Sequence, residues 1–267
     1  MNSKYCRYSL GFLLFSLILF AFYFSDIALL IVSIFFIIIA LREYRKMFEQ
    51  KEIHIHKFLP EIISIVLAVN FCTLKNIEYH LIVTPLLIIG TILSFIITIL
   101  RNKKPYMLTS MATAMSFTFV LCGLSIIKLT YRYGNEKSWY IILIYFLSVL
   151  LGDFIASKIG PKFTKKLAPE ISPNKTIGGA IANLITACIV CATLNFLTDY
   201  SIIQCITLGT TISIFAQFGD LTISMLKRDI GIKHSGTLFY EYGGILDRMD
   251  AFIFSAPAAY YCLMLLS

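Results

Sequence analysis

Nine stretches of this chain are long and apolar enough to cross a lipid bilayer, and no other feature limits its fold as strongly. A helix crossing a hydrocarbon core of ~30 Å needs about 20 mostly apolar residues. The candidates fall at 10–24, 27–41, 58–74, 79–100, 107–129, 139–158, 177–197, 200–226 and 249–266. The first two are short and are separated by Ser25 and Asp26, so a single long kinked segment is the alternative there. Lys4 and Arg7 before an apolar run also resemble a signal peptide, but Phe22, Tyr23 and Phe24 stand where a small-residue cleavage site is expected. Retained helices are the better expectation. Composition points the same way, since 58% of the 267 residues are hydrophobic and 14% charged. Soluble domains carry about 45–50% and roughly 25%. A water-soluble globule is excluded, and so is a disordered chain, given 22 Phe and few charges. The expected fold is all-α, a polytopic integral membrane helical bundle of about nine transmembrane helices.

The net charge of +8 would favour nucleic acid in a soluble protein. Here the placement of the charges matters more. With nine spans, 19 of the 23 Lys and Arg fall on one side and 4 on the other. So strong a bias predicts a cytoplasmic N-terminus, with the basic loops in the cytoplasm. Two regions are expected: an N-terminal transmembrane region over 1–138, and a C-terminal transmembrane region over 139–267 with cytoplasmic loops at 158–176 and 227–248 that carry most of the motif residues considered below. Cys188 and Cys191 form a C-x-x-C inside an apolar run with no second ligand pair nearby, and read as packing residues. His54 and His56 lack a carboxylate or Cys partner pattern and read as solvated. Glu61, three residues into its span, reads as reaching the interface.

Carboxylates at membrane depth are the informative residues, because each costs roughly 2.5–3.5 kcal/mol even on translocon scales. Asp153 lies late in the sixth span and Asp220 in the eighth. Asp247 and Asp250, spaced i, i+3 at the start of the last helix, share a face. With Asp220 they make three carboxylates near one membrane surface, in a basic setting. Two readings stand side by side: a Mg²⁺ site, or helix capping and salt bridges to Arg248 or Lys227. The 158–176 loop carries five Lys and the run Ser172-Pro173-Asn174-Lys175-Thr176 before Gly178-Gly179. It reads either as a phosphate cradle at a helix N-terminus or as a basic loop touching anionic headgroups.

Together these motifs resemble the CDP-diacylglycerol synthase (phosphatidate cytidylyltransferase) family. That family's pattern runs Ser-x-x-Lys-Arg, four residues, Lys-Asp, Pro-Gly-His-Gly-Gly and Asp-Arg-x-Asp. This chain has Ser224-Met225-Leu226-Lys227-Arg228, Lys233, Gly243-Gly244 and Asp247-Arg248-Met249-Asp250. Upstream, Gly219-Asp220, Gly152-Asp153 and Lys166-Leu167-Ala168-Pro169 also fit. It departs at His234, where Asp is expected, and at Tyr240-Glu241-Tyr242, where Pro-Gly-His is expected.

The resemblance implies transfer of a cytidylyl group from CTP to phosphatidate, giving CDP-diacylglycerol and pyrophosphate. It implies Mg²⁺ on Asp220 and Asp247, with a second cation left open. Catalytic roles fall to Asp220, Asp247, Lys233 and Asp250, and substrate contacts to Ser172, Lys175, Thr176, Lys227, Arg228, Arg248 and Asp153. Membrane lipids are the expected surroundings, a homodimer the implied assembly, and a bacterial inner membrane the expected location, with no nucleic-acid partner. The alternatives are a CTP-dependent polyprenol or phytol kinase, a diverged inactive relative, and an ion-coupled transporter.

Overall fold

A computed structural model describes residues 16, 20, 26–73, 79–101, 104–131, 138–238 and 243–266. The expected apolar segments are helices in it: α1 (Asp26–Glu49), α2 (Phe58–Thr73), α3 (Tyr79–Arg101), α4 (Tyr106–Tyr131), α5 (Ser138–Ile159), α6 (Ile177–Thr193), α7 (Ile202–Ile230) and α8 (Leu246–Leu266). Six of these, α1, α3, α4, α5, α7 and α8, are long and apolar enough to span a membrane, and α2 and α6 are shorter apolar helices. The chain is therefore an all-α, polytopic helical bundle. The expected segment at 10–24 lies outside the described residues apart from two helical positions, so the count of nine is not established.

Large apolar side chains such as Ile99, Leu100, Ile203 and Leu265 point outward, as lipid-facing residues must. Inside, one hydrophobic cluster runs from Leu29 of α1 to Leu263 of α8 and includes side chains on both sides of residue 138. α8 packs chiefly on α7 and α4, while α6 lies between α5 and α7.

Three departures from the sequence expectation matter for the site. Helix α1 runs on to Glu49, so Arg42, Glu43 and Arg45 are helical rather than in a loop. Helix α7 runs on to Ile230, which places Lys227 and Arg228 on its last turn, where the helix dipole favours cations. Gly231 stops it in the left-handed conformation (φ 86°), its N–H bonding back to the carbonyls of Lys227 and Arg228. Finally, the 158–176 segment folds as a small antiparallel hairpin, β1 (Lys166–Ala168) with β2 (Ser172–Thr176), which pairs Lys166 with Thr176 and Ala168 with Ser172.

At 29 residues α7 is about 44 Å long, roughly 14 Å more than a hydrocarbon core. Its last eleven residues include Asp220, Ser224, Lys227 and Arg228. The basic ends of α1, α7 and α8 and the hairpin thus meet on one side of the bundle.

Candidate active site

On α7, Ser213, Gln217, Asp220, Ser224 and Lys227 follow one another at spacings of four and three, so they form a polar stripe along one face. Each is tied to a neighbour. Asp220 Oδ2 lies 2.5 Å from the Nζ of Lys175, supplied by the hairpin, and its Oδ1 accepts from Ser224 Oγ at 3.3 Å. Lys227 Nζ lies 2.5 Å from Asp247 Oδ1. The backbones of α7 and α8 come close here: a side chain at Gly219 would run into the carbonyl of Asp250. Asp250 is within electrostatic range of Asp220, Lys227 and Lys175.

Asp247 is buried and turned into the 234–244 loop. Its Oδ2 accepts from the N–H of Ser235 (2.8 Å), the N–H of Gly244 (3.1 Å) and the Ser235 hydroxyl (3.1 Å). His234 Nδ1 is 3.9 Å from the same oxygen. Partial burial holds the His234 imidazole below its ordinary pKa. The charge of Asp247 pulls it up, and Lys233, Lys227 and Arg248 push it further down. Gly243 has φ 87°, and a Cβ there would also overlap the Asp247 carboxylate, so glycine is needed twice over.

One participant was not legible in the sequence. Glu43 is buried, and its carboxylate accepts from the N–H groups of Ile245 and Leu246 (both 3.0 Å) and from the Ser235 hydroxyl at 3.2 Å. It caps the first turn of α8 from a position about 200 residues earlier, satisfying amides that a helix start leaves open. Gly236 and Gly244 lie so near its carboxylate that any side chain at either position would displace it.

The residues named from sequence divide accordingly. Lys175, Asp220, Lys227, Asp247 and Asp250 meet at the α7–α8–hairpin junction. Arg248 follows Asp247 at the head of α8, and its charge acts on His234. Arg228 reaches across to the hairpin turn, donating from Nε to the Ile171 carbonyl at 3.2 Å. Ser172 is half-buried on β2, and Lys233 is exposed on the loop after α7. Thr176 is buried and caps α6, donating to the Gly160 carbonyl (2.9 Å) and accepting from the Gly179 N–H (3.1 Å). Asp153 stands apart from the cluster but is connected to it. Asn183 Nδ2 donates to its Oδ1 (3.0 Å), Ser213 donates to Asn183 Oδ1 (2.6 Å), and Gln217 donates to Ser213 Oγ (3.1 Å). Residues 239–242, where the sequence departs from the family pattern, lie outside the described residues.

Two smaller expectations are corrected or met. His56 is buried rather than solvated, because the α1–α2 connection tucks it between α3 and α4, with Nε2 2.9 Å from Thr98 Oγ1 and 3.2 Å from the Ser94 carbonyl. Cys188 and Cys191 are both unbridged packing residues, beside Thr210 and Ser148.

As a metal site the arrangement is partial. No three His, Cys, Asp or Glu gather as a ready ligand set among the described residues. Asp220 and Asp247 each carry a lysine instead. Such a set fits Mg²⁺ in the form in which that ion takes one or two carboxylates and completes its shell with water and substrate phosphates. Two lysines and an arginine at the same junction suit a polyanion.

Residues 5–266 match the family model described as "Cytidylyltransferase family". A Staphylococcus aureus phosphatidate cytidylyltransferase is 38% identical over 171 residues, covering 62% of this chain and 64% of that protein. The Staphylococcus haemolyticus enzyme of the same name is 40% identical over 149 residues (54% and 57%), and that of Rickettsia felis 33% over 168 (57% and 74%). The staphylococcal matches thus span less than two thirds of those proteins. With the family match running over almost its whole length, the chain belongs to the cytidylyltransferase family.

Proposed function

We propose that this protein transfers the cytidylyl group of CTP to phosphatidate, forming CDP-diacylglycerol and pyrophosphate for phospholipid synthesis. The observation that carries the reading is the junction where Lys175, Asp220, Lys227, Asp247 and Asp250 meet at the charged end of a membrane bundle. One reactant is anchored in lipid and the other is a water-soluble polyanion, so such an end is where the two can meet. A phosphate oxygen of phosphatidate forms a bond to the α-phosphorus of CTP, and the bond from that phosphorus to the bridging oxygen breaks, releasing pyrophosphate. No covalent enzyme intermediate is required, and positioning with charge neutralisation supplies the catalysis.

Lys175 and Lys227 exchange their carboxylate partners for phosphate oxygens when substrates bind, while Arg248 and Lys233 hold phosphates from the α8 side. Ser172 and Arg228 position the hairpin, Thr176 fixes the helix behind it, and Asp153 braces α7 through Asn183 and Ser213. Asp220 and Asp247 would hold Mg²⁺, with Asp250 beside them. When bound, that ion supplies Lewis-acid stabilisation of charge on the transferring and leaving phosphates. The 19:4 distribution of basic residues supports a cytoplasmic site and N-terminus, and the bacterial relatives support an inner-membrane location. A homodimer is the assembly the family resemblance implies.

The test is incorporation of radiolabelled CTP into a chloroform-soluble product by purified protein supplied with phosphatidate. Label in the lipid phase that depends on Mg²⁺ is expected. Its absence from well-folded protein supplied with Mg²⁺ overturns the reading.

A further inference from the structure

An apolar crevice of about 110 Å³ runs between α1, α4 and α8, lined among others by Leu29, Ser33, Tyr44, Gly123, Ile245 and Met249. From Leu29 to Tyr44 it follows α1 for fifteen residues, about 22 Å along the helix axis. Its polar end lies at Tyr44, Ile245 and Leu246, and the backbone amides of the last two donate to the Glu43 carboxylate. Its far end lies at Leu29 and Leu124, deep in the bundle. A second observation agrees that this space is empty: a Cβ added at Gly123 would meet nothing within 4 Å.

We propose that this crevice holds one acyl chain of the lipid substrate, an inference that rests on the phosphatidate reading above. Three physical points select that occupant. The crevice is too narrow for a helix about 10 Å wide. Spread over about 22 Å, its volume of about 110 Å³ leaves a narrow channel with room for a single file of methylenes. It is also poorly suited to water, since two of its three lining hydroxyls, Tyr44 and Ser116, are committed to the carbonyls of Ala112 and Thr113 and only Ser33 is left beside apolar side chains. Its length exceeds one leaflet, about half of a ~30 Å core, so a long chain fits with its glycerol end toward Tyr44 and the Glu43 carboxylate. The opposite face of α1, with exposed Ile27, Ile31 and Phe35, meets bulk lipid instead.

Gly123 lies eleven residues along α4 from Ala112, about 16 Å below the polar end, the depth of the tail of a long chain. The experiment measures KM for dioleoyl and dioctanoyl phosphatidate in mixed micelles. Gly123→Leu is expected to raise the dioleoyl-to-dioctanoyl KM ratio about tenfold (~1.4 kcal/mol), whereas Ile31→Leu leaves the ratio within twofold. An unchanged ratio in Gly123→Leu overturns the proposal. A readout independent of turnover is photocrosslinking with phosphatidate carrying a diazirine at one acyl terminus. Label on the 119–124 segment of α4 that Gly123→Leu removes supports the crevice even if no CDP-lipid forms, in which case the proposed reaction alone fails. Label confined to the Ile27–Phe35 face overturns the crevice even where turnover is normal.

Discussion

Asp220 and Asp247 are both paired with lysine, yet their surroundings differ. Asp220 has one hydroxyl and the partly exposed Lys175 for company, whereas Asp247 also accepts two backbone N–H bonds from Ser235 and Gly244. Asp220→Asn and Asp247→Asn are each expected to lower the rate of lipid labelling by about 10²–10³-fold, the scale for loss of one preorganised electrostatic contact. Circular dichroism and detergent solubility should be unchanged for Asp220→Asn. Asp247→Asn should in addition melt at lower temperature, because its single amide oxygen can accept from Ser235 and Gly244 or from Lys227 but not from both sides, and the NH2 group then faces a donor. Retention of near wild-type labelling by either variant removes that residue from the site.

At the scale of elements, Glu43 is the decisive contact. It is the one described carboxylate that joins the N-terminal helices to the start of α8. Glu43→Gln keeps the shape but turns one oxygen into a donor facing an N–H or hydroxyl, and it removes the charge. A hydrogen bond to a charged group contributes about 1.5–3 kcal/mol, and a displacement of ~1 Å at a reacting centre can cost about 10²-fold. We expect kcat to fall by about that factor, KM for CTP to change much less, and Glu43→Asp to recover part of the loss. A fall in stability with kcat intact would confine Glu43 to folding.

Helix positions were legible because long apolar runs have few other uses, and their ends differ from the expected ones mainly where capping intervenes. α8 begins at Leu246 rather than 249 because Glu43 bonds the amides there, and α7 ends at Ile230 because Gly231 provides the left-handed stop. The β1–β2 hairpin had no such signature. Its strands are short and polar, and contacts with Arg228 and between Lys175 and Asp220 help hold it in place. The site's carboxylates and lysines could be named from their motifs, but not which lysine pairs with which carboxylate. Glu43 could not be named at all, since every group that explains its burial lies some 190 residues or more away.

The bundle as a whole is closed at its basic end partly by His56. Burial lowers the His56 pKa; the hydrogen bond to the Ser94 carbonyl raises it by less, and the nearby charge of Arg101 lowers it by less again. Its Nδ1 is buried without a hydrogen-bond partner among the described residues, so protonation would add an unsatisfied N–H. Because the folded value lies below the unfolded one, this stabilisation is complete above pH ~6.5 and is lost as pH falls from there through the folded value. Melting temperature in detergent should therefore drop between pH 7.5 and pH 5, and His56→Gln should flatten that part of the curve. An equal drop in the variant would assign the pH response to other groups.

The cap that Glu43 provides also has a consequence for biogenesis. α1 leaves the ribosome long before α8, so until α8 is made this carboxylate waits at the membrane surface without the amides of Ile245 and Leu246. The contacts of Glu43 with Ser235, Ile245 and Leu246 can form only when the last of the described helices has been released by the translocon. A nascent chain halted before α8 would present the unpaired Glu43 carboxylate together with the unfilled face of α4, marks by which membrane proteases could distinguish unfinished protein from finished protein.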